Sequence, residues 1–322
     1  MLDHMTKQVD CVVCGSCVVD LVCRPVELEK PIGVGVLHET ADPVVLTTGG
    51  ITCNSGITMA RLGLKVAVLS YTGDDEWGPV VRGMLQKEGI DDTAMTIHPT
   101  AATSTTIVAV DATGERSFFH CVGAPKELNA KALLDHLDLF SRSATMLLGY
   151  YSLMPNLESD LPQVFQRIRQ TGCQTAMDAA GHGGTMKPLD QTLPHLDIYI
   201  PSFSEASHQT GLNDPYHMIE MYRNCGAPGL LGVKLGSKGV LLSPKAGNMI
   251  EIGVISPPGN IADTTGAGDS FYAGLIAGLC KGMPTEHAGR LGAASAACCV
   301  TAVGGSTGGR SYEETARLAG VS

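Results

Sequence analysis

Apolar positions open this chain in two short runs. Val9 to Gly15 is the first; after a Gly15-Ser16 break, Val18 to Val22 is the second, interrupted by one carboxylate, Asp20. Short apolar runs bounded by turn residues read as buried strands. Residues 24–48 form an excursion with Pro25, Pro31, Gly33 and Gly35 that ends in a strand-like Val44 to Thr48. Gly49-Gly50 then closes that strand and starts a helix with Asn54 in its first turn. Val66 to Ser70 reads as a strand, residues 78–88 as an amphipathic helix, and Gly89-Ile90-Asp91 closes the unit. Strand alternating with helix predicts a parallel sheet. Thr103 to Val110 and Glu115 to Val122, joined by Asp111-Ala112-Thr113-Gly114, predict a hairpin that can join residues 16–25 and 36–48 in a small second sheet. The α/β rhythm then resumes: a helix over Leu128 to Ser141, a strand over Thr145 to Leu148, a helix over Leu161 to Gln170, and a strand over Thr175 to Asp178. Ligands of open α/β sheets gather at the carboxyl ends of strands, which makes Asp178 and Gly149-Tyr150-Tyr151 candidate site-lining groups.

Near the C-terminus a polar turn, Asp263-Thr264-Thr265-Gly266-Ala267-Gly268-Asp269, runs into a helix with Phe271, Leu275, Ile276 and Leu279 at helical spacing. Gly266 and Gly268 let the backbone bend and bring amides close to a ligand. Free donors and the dipole at a helix start attract anions, and a phosphate is the obvious guest. Asp269 has two readings there. It is a favourable first-turn acid, and it is also a carboxylate able to take a proton from an attacking hydroxyl beside a phosphate cradle. An Ala-rich helix over His287 to Cys299 and a Gly/Ser/Thr loop over Val300 to Gly309 follow.

Composition narrows the function classes. The 322 residues carry a net charge of −10, which argues against binding nucleic acid by phosphate neutralisation. No apolar run reaches the roughly 18 residues of a membrane helix, and Met1 to Lys7 holds no signal-peptide core. A cytoplasmic location is expected, with Met5 as the native start. Eleven cysteines are scattered through apolar runs, the pattern of small buried hydrophobes in a reducing compartment. Cys11, Cys14 and Cys17 have iron–sulfur spacing, but Cys23 breaks it and the run reads better as a strand. No Gly-Lys dipeptide exists for a Walker A loop, and no Gly-x-Gly-x-x-Gly for a dinucleotide fold. Gly304 to Gly308 matches a hydrolase elbow, yet no His follows Ser306, so the triad order fails.

The string from Asp263 to Gly274 resembles the second signature of the ribokinase-like (PfkB-type) carbohydrate kinases, and Gly49-Gly50 with Asn54 resembles the first. The resemblance runs from Asp10 to Gly309. It implies a single domain over 1–322: a three-layer αβα sandwich with a mostly parallel central sheet, plus a small β-sheet lid near 16–25, 36–48 and 103–122. It implies transfer of the ATP γ-phosphoryl group to a hydroxyl of a small carbohydrate. Asp269 would be the general base, and the Gly266, Ala267 and Gly268 amides the anion hole. Asp20, five residues after Gly15, would hold the sugar with Gly49, Gly50 and Asn54. Ile51 stands where ribokinases proper carry Lys. Val233 to Val240 resembles the nucleotide loop, with Lys234 at its Thr position; Lys234, Gly236, Gly239 and Thr265 would face ATP. Glu205 would organise Mg²⁺ through water, with Ser202 in place of the usual Asn, and Asp263 would belong to a monovalent-cation (K⁺) site. The lid would cover the sugar and form a homodimer interface. A nucleoside kinase of the same family and a silent sugar or nucleotide sensor are the alternatives.

Overall fold

The computed structural model describes residues 7–321; residues 1–6, with the expected start at Met5, and residue 322 lie outside it. The strands in chain order are β1 (Val9–Gly15), β2 (Val18–Cys23), β3 (Val45–Gly49), β4 (Val66–Thr72), β5 (Asp91–Ile97), β6 (Thr105–Val110), β7 (Arg116–Cys121), β8 (Ser143–Gly149), β9 (Gln174–Met177), β10 (Ile198–Tyr199), β11 (Leu230–Lys234), β12 (Val240–Lys245) and β13 (Asn248–Ile252). Among the described residues nine of them form one sheet in the order β13-β12-β11-β10-β9-β8-β1-β4-β5. It is parallel from β11 to β5, and β12 and β13 add an antiparallel edge. Helices cover both faces, and β1 shows why its sequence is apolar throughout. Val12 and Cys14 enter one core while Cys11 and Val13 enter the other, as a parallel strand buried on both sides requires.

The order reverses at the β8–β1 junction: β9 to β11 continue on one side, β4 and β5 on the other. Such a switch point leaves a crevice beyond the carboxyl ends of the strands. The second sheet, β3-β2-β6-β7, stands over that crevice. Its strand β2 follows β1 after two residues, so the chain passes directly from the body into the lid.

Two expectations need correcting. The segment 36–48 contributes to the lid only from Val45, and residues 24–44 form turns outside either sheet. The helix expected over Leu128 to Ser141 is two short pieces, Ala130–Leu134 and Leu137–Ser141. Asn129 caps the first through the Ala132 amide, and the His136 ring bonds the Ala132 carbonyl at 3.0 Å, competing with the helical ladder at the break. Among the described residues no helix is long and apolar enough to cross a membrane.

Candidate active site

Two helices bring the chemistry together at the switch point. The helix Ile51–Arg61 carries a buried polar stripe that ties it to the helix Ala267–Cys280. Asn54 donates to the Asp269 carboxylate at 2.8 Å, Ser55 donates to the Asp269 carbonyl at 2.9 Å, and Thr58 meets Ser270 at 3.4 Å. Tyr150, just past β8, donates its hydroxyl to the same Asp269 oxygen at 2.7 Å. Tyr150 has φ 63°, unusual for a residue with a side chain, and its amide donates to the Asp178 carbonyl at 3.1 Å, which holds that conformation. Asp269 is only 3% exposed. Burial raises its pKa, against the hydrogen bonds from Asn54 and Tyr150 and the charge of Lys234.

The turn before Asp269 is built by close approach. Gly266 caps the helix with φ 74°, and a Cβ there would lie 2.4 Å from the Gly305 carbonyl oxygen. Ala267 and Gly268 are the first two helical residues, whose amides have no intrahelical partner. Lys234, at the end of β11, reaches this point: its Nζ lies 3.3 Å from where a Gly268 Cβ would be and 4.9 Å from the Tyr272 ring centre. It donates to both Asp178 oxygens at 2.8 and 3.0 Å. Burial pushes Asp178 up to about 7 although Lys234 pulls it down. Burial also works against the Lys234 charge, but Asp178 and Glu205 outweigh it and hold the ammonium protonated.

A cavity of about 170 Å³ lies between this turn and the lid, lined by Asp20, Asn54, Thr106, Tyr150, Asp263 and Thr265 among others. The lid's inner face follows from register. Asp20 pairs across β2 with Thr47 and Thr106, and Thr106 with His120. The alternation therefore points Arg116, Phe118 and His120 toward the cavity side. The opposite row, Leu46-Leu21-Ile107-Phe119, faces outward. Burial raises the Asp20 carboxyl above its ordinary range, opposed by Thr106 and His120. Gly49 and Gly50 are required by space: a Cβ would lie 2.3 Å from an Asp20 oxygen or 2.4 Å from the Ser16 carbonyl.

Some expected site residues have other work. Asn54 spends its amide on Asp269, and its Oδ1 is buried without a partner. Glu205 closes a capping box, accepting from the Ser202 amide at 2.6 Å. Gly236 and Gly239, at φ 58° and 93°, make the tight turn between β11 and β12. Sequence reading set Asp178 at a strand end and Lys234 at a loop, but their pairing across 56 residues had no local signal.

The residues present fit a divalent ion carried by a nucleotide. Asp178, Glu205 and Asp269 are 2%, 8% and 3% exposed and have one lysine among them, so a further cation there would favour their ionised forms. No three His, Cys, Asp or Glu among the described residues form a ready cage for a metal ion. A monovalent cation does not fit at Asp263. Its Oδ1 accepts from the Thr265 amide at 2.7 Å and from Arg116 at 2.6 Å, and its Oδ2 from the Gly304 amide at 3.0 Å.

If the glycine turn holds an anion, Lys234→Met is expected to lower kcat about 10- to 100-fold by removing the positive charge beside it. It also strands Asp178, at about 3–5 kcal/mol of stability. Adding Asp178→Asn should restore the melting temperature but not kcat; recovery of both would give Lys234 a purely structural role.

Comparison with known proteins shows the family and the fold. The profile described as pfkB family carbohydrate kinase matches residues 8–310. The chain is 26% identical over 272 residues to a ribokinase of Haemophilus influenzae, covering 83% of this chain and 85% of that protein. It is 30% identical over 304 residues to a fructokinase of Klebsiella pneumoniae, covering 86% of each. The structure of Arabidopsis thaliana ribokinase complexed with ribose and ATP aligns with a TM-score of 0.78 at 23% identity, over 98% of this chain and 99% of that one.

Proposed function

Because the chain belongs to the pfkB family of carbohydrate kinases, we propose that it transfers the γ-phosphoryl group of ATP to a hydroxyl of a small sugar bound under the lid. The observation that carries this reading is Asp269: a buried carboxylate in the first turn of the helix that the glycine turn starts, held by Asn54 and Tyr150, which line the polar cavity. The sugar hydroxyl gives its proton to the Asp269 carboxylate as its oxygen attacks the γ-phosphorus. The bond to the β–γ bridging oxygen breaks, and ADP leaves with those electrons. The Gly266, Ala267 and Gly268 amides and the Lys234 ammonium stabilise the charge on the phosphoryl oxygens. Mg²⁺ bound with ATP would neutralise phosphate charge there, Glu205 being the carboxylate to hold it through water. Gly236 and Gly239 keep the β11–β12 turn narrow enough for the nucleotide to pass.

Asp20, with Thr47 and Thr106 beside it, holds sugar hydroxyls; Gly49 leaves room for the Asp20 carboxylate, and Gly50 lets the chain pass close to the Ser16 carbonyl, both glycines lining the sugar site. The outward lid row, with Leu46, Ile107 and Phe119 exposed, suits a homodimer joined through the lids. Eleven free cysteines suit a cytoplasmic setting.

The test is sugar-dependent ADP release from Mg-ATP across ketoses, aldoses, sugar acids and nucleosides, with Asp269→Asn as control. A hit that vanishes in the variant supports the reading; ATP or sugar binding with no turnover anywhere in the panel moves it to a sensor. Asp20→Ala is expected to raise the sugar KM about 10- to 100-fold with the ATP KM unchanged. An unchanged sugar affinity would remove Asp20 from the sugar site.

A further inference from the structure

The buried carboxylate of Asp263 joins three segments that are far apart in sequence. Its own segment leads into the anion-binding turn. Gly304 belongs to the loop after the helix Thr285–Cys299, and it donates its amide to Oδ2 at 3.0 Å. Arg116 is the first residue of β7, on the lid, and its guanidinium reaches Oδ1 at 2.6 Å and the Thr265 hydroxyl. Asp263 is 7% exposed. Burial works to raise its pKa, but the Gly304 and Thr265 hydrogen bonds and Arg116 outweigh it and hold the carboxyl ionised.

A buried anion at this place needs a positive partner, and the resemblance assigned that task to a monovalent cation. The ligand positions are already taken by two amides and a guanidinium. Thr265 immediately precedes Gly266, whose φ of 74° sets the amides of Ala267 and Gly268. Any force that moves Thr265 therefore moves the anion hole.

Resting on the kinase reading above, we propose that Arg116 is a positioning residue that supplies from the lid the charge expected of a monovalent cation, so that closing the lid and fixing the anion-hole loop are one event. The arrangement makes water exclusion and phosphoryl activation coincide. An open lid withdraws the guanidinium from Asp263 and Thr265 and leaves the loop without its tie.

The experiment compares the intact protein with Arg116→Ala and Arg116→Lys in potassium chloride and in tetramethylammonium chloride of equal ionic strength. Three quantities are read: kcat and KM, the ratio of ATP hydrolysed to sugar phosphorylated, and the thermal unfolding midpoint without substrates. For the intact protein, kcat and midpoint are expected to be the same in both salts. Arg116→Ala is expected to lose about 10- to 100-fold in kcat, to hydrolyse more ATP per sugar phosphorylated, and to regain part of kcat and midpoint in potassium alone. Arg116→Lys should retain most of the coupling. A potassium-dependent kcat and midpoint in the intact protein would overturn the proposal, because the cation and not Arg116 would then carry the charge. So would an Arg116→Ala variant changed only in sugar KM, which would make Arg116 a substrate contact. If no sugar in the panel is phosphorylated, the kinase reading fails by itself, and the unfolding midpoints still decide whether Arg116 replaces the cation.

Discussion

Replacing Asp269 by Asn is expected to lower kcat by about 10²- to 10⁴-fold while leaving sugar and ATP affinities within a few-fold. The substitution is nearly isosteric, and an Asn oxygen can still accept from Asn54 and Tyr150, so it removes basicity and little else. Because burial makes the ionised carboxylate costly here, the neutral variant should unfold at the same temperature or a higher one. That separates lost chemistry from lost structure. The same burial has a pH consequence. The base works only when deprotonated, so the rate falls as pH drops through its pKa. A raised pKa places this acid limb of kcat/KM above the ordinary carboxylate range. Tyr150→Phe removes a hydrogen bond to the charged form and should move the limb higher still. Wild-type turnover in Asp269→Asn, or a limb unmoved in Tyr150→Phe, would contradict the assigned base.

Gly266→Ala is expected to cost about 10²- to 10³-fold in kcat, the scale of losing an oxyanion-hole donor. At φ 74° a side chain is strained, and the new Cβ would sit 2.4 Å from the Gly305 carbonyl oxygen. Backbone atoms cannot yield as a side chain can, so the turn must shift and carry the Ala267 and Gly268 amides with it. The strain itself is worth about 1–3 kcal/mol, read as a lower melting temperature. Gly268→Ala is the contrast. Gly268 has no left-handed φ and its Cβ meets only the end of the Lys234 side chain, at 3.3 Å, with no backbone atom in the way, so a smaller loss is expected. Equal effects at the two positions would show that the turn tolerates displacement and that its amides are not the anion hole.

The strands were legible because period and length are local properties. β1, β4 and β8 appear as apolar runs, and the helix Leu161–Gln170 begins and ends where its apolar spacing does. The helix expected over Leu128 to Ser141 failed for an equally local reason, a histidine ring competing for a backbone carbonyl. The Asp263–Gly268 turn was legible as a turn starting a helix, because Gly266 and Gly268 before apolar residues at helical spacing are a local signal. Asn54 was legible only as a site residue. Its partner, Asp269, lies 215 positions away, and no spacing rule reaches that far.

By itself the sequence determined the elements, the parallel sheet, the glycine turn and the presence of Asp269 behind it. Each follows from side-chain periodicity or backbone freedom within about ten residues. Tertiary structure alone decided which face of the lid meets the cavity, that Lys234 pairs with Asp178, and that Arg116 holds Asp263. For the two ion pairs the physical reason is the same. A buried charge takes its partner from whatever segment packing brings within a few ångströms, and distance along the chain carries no information about that.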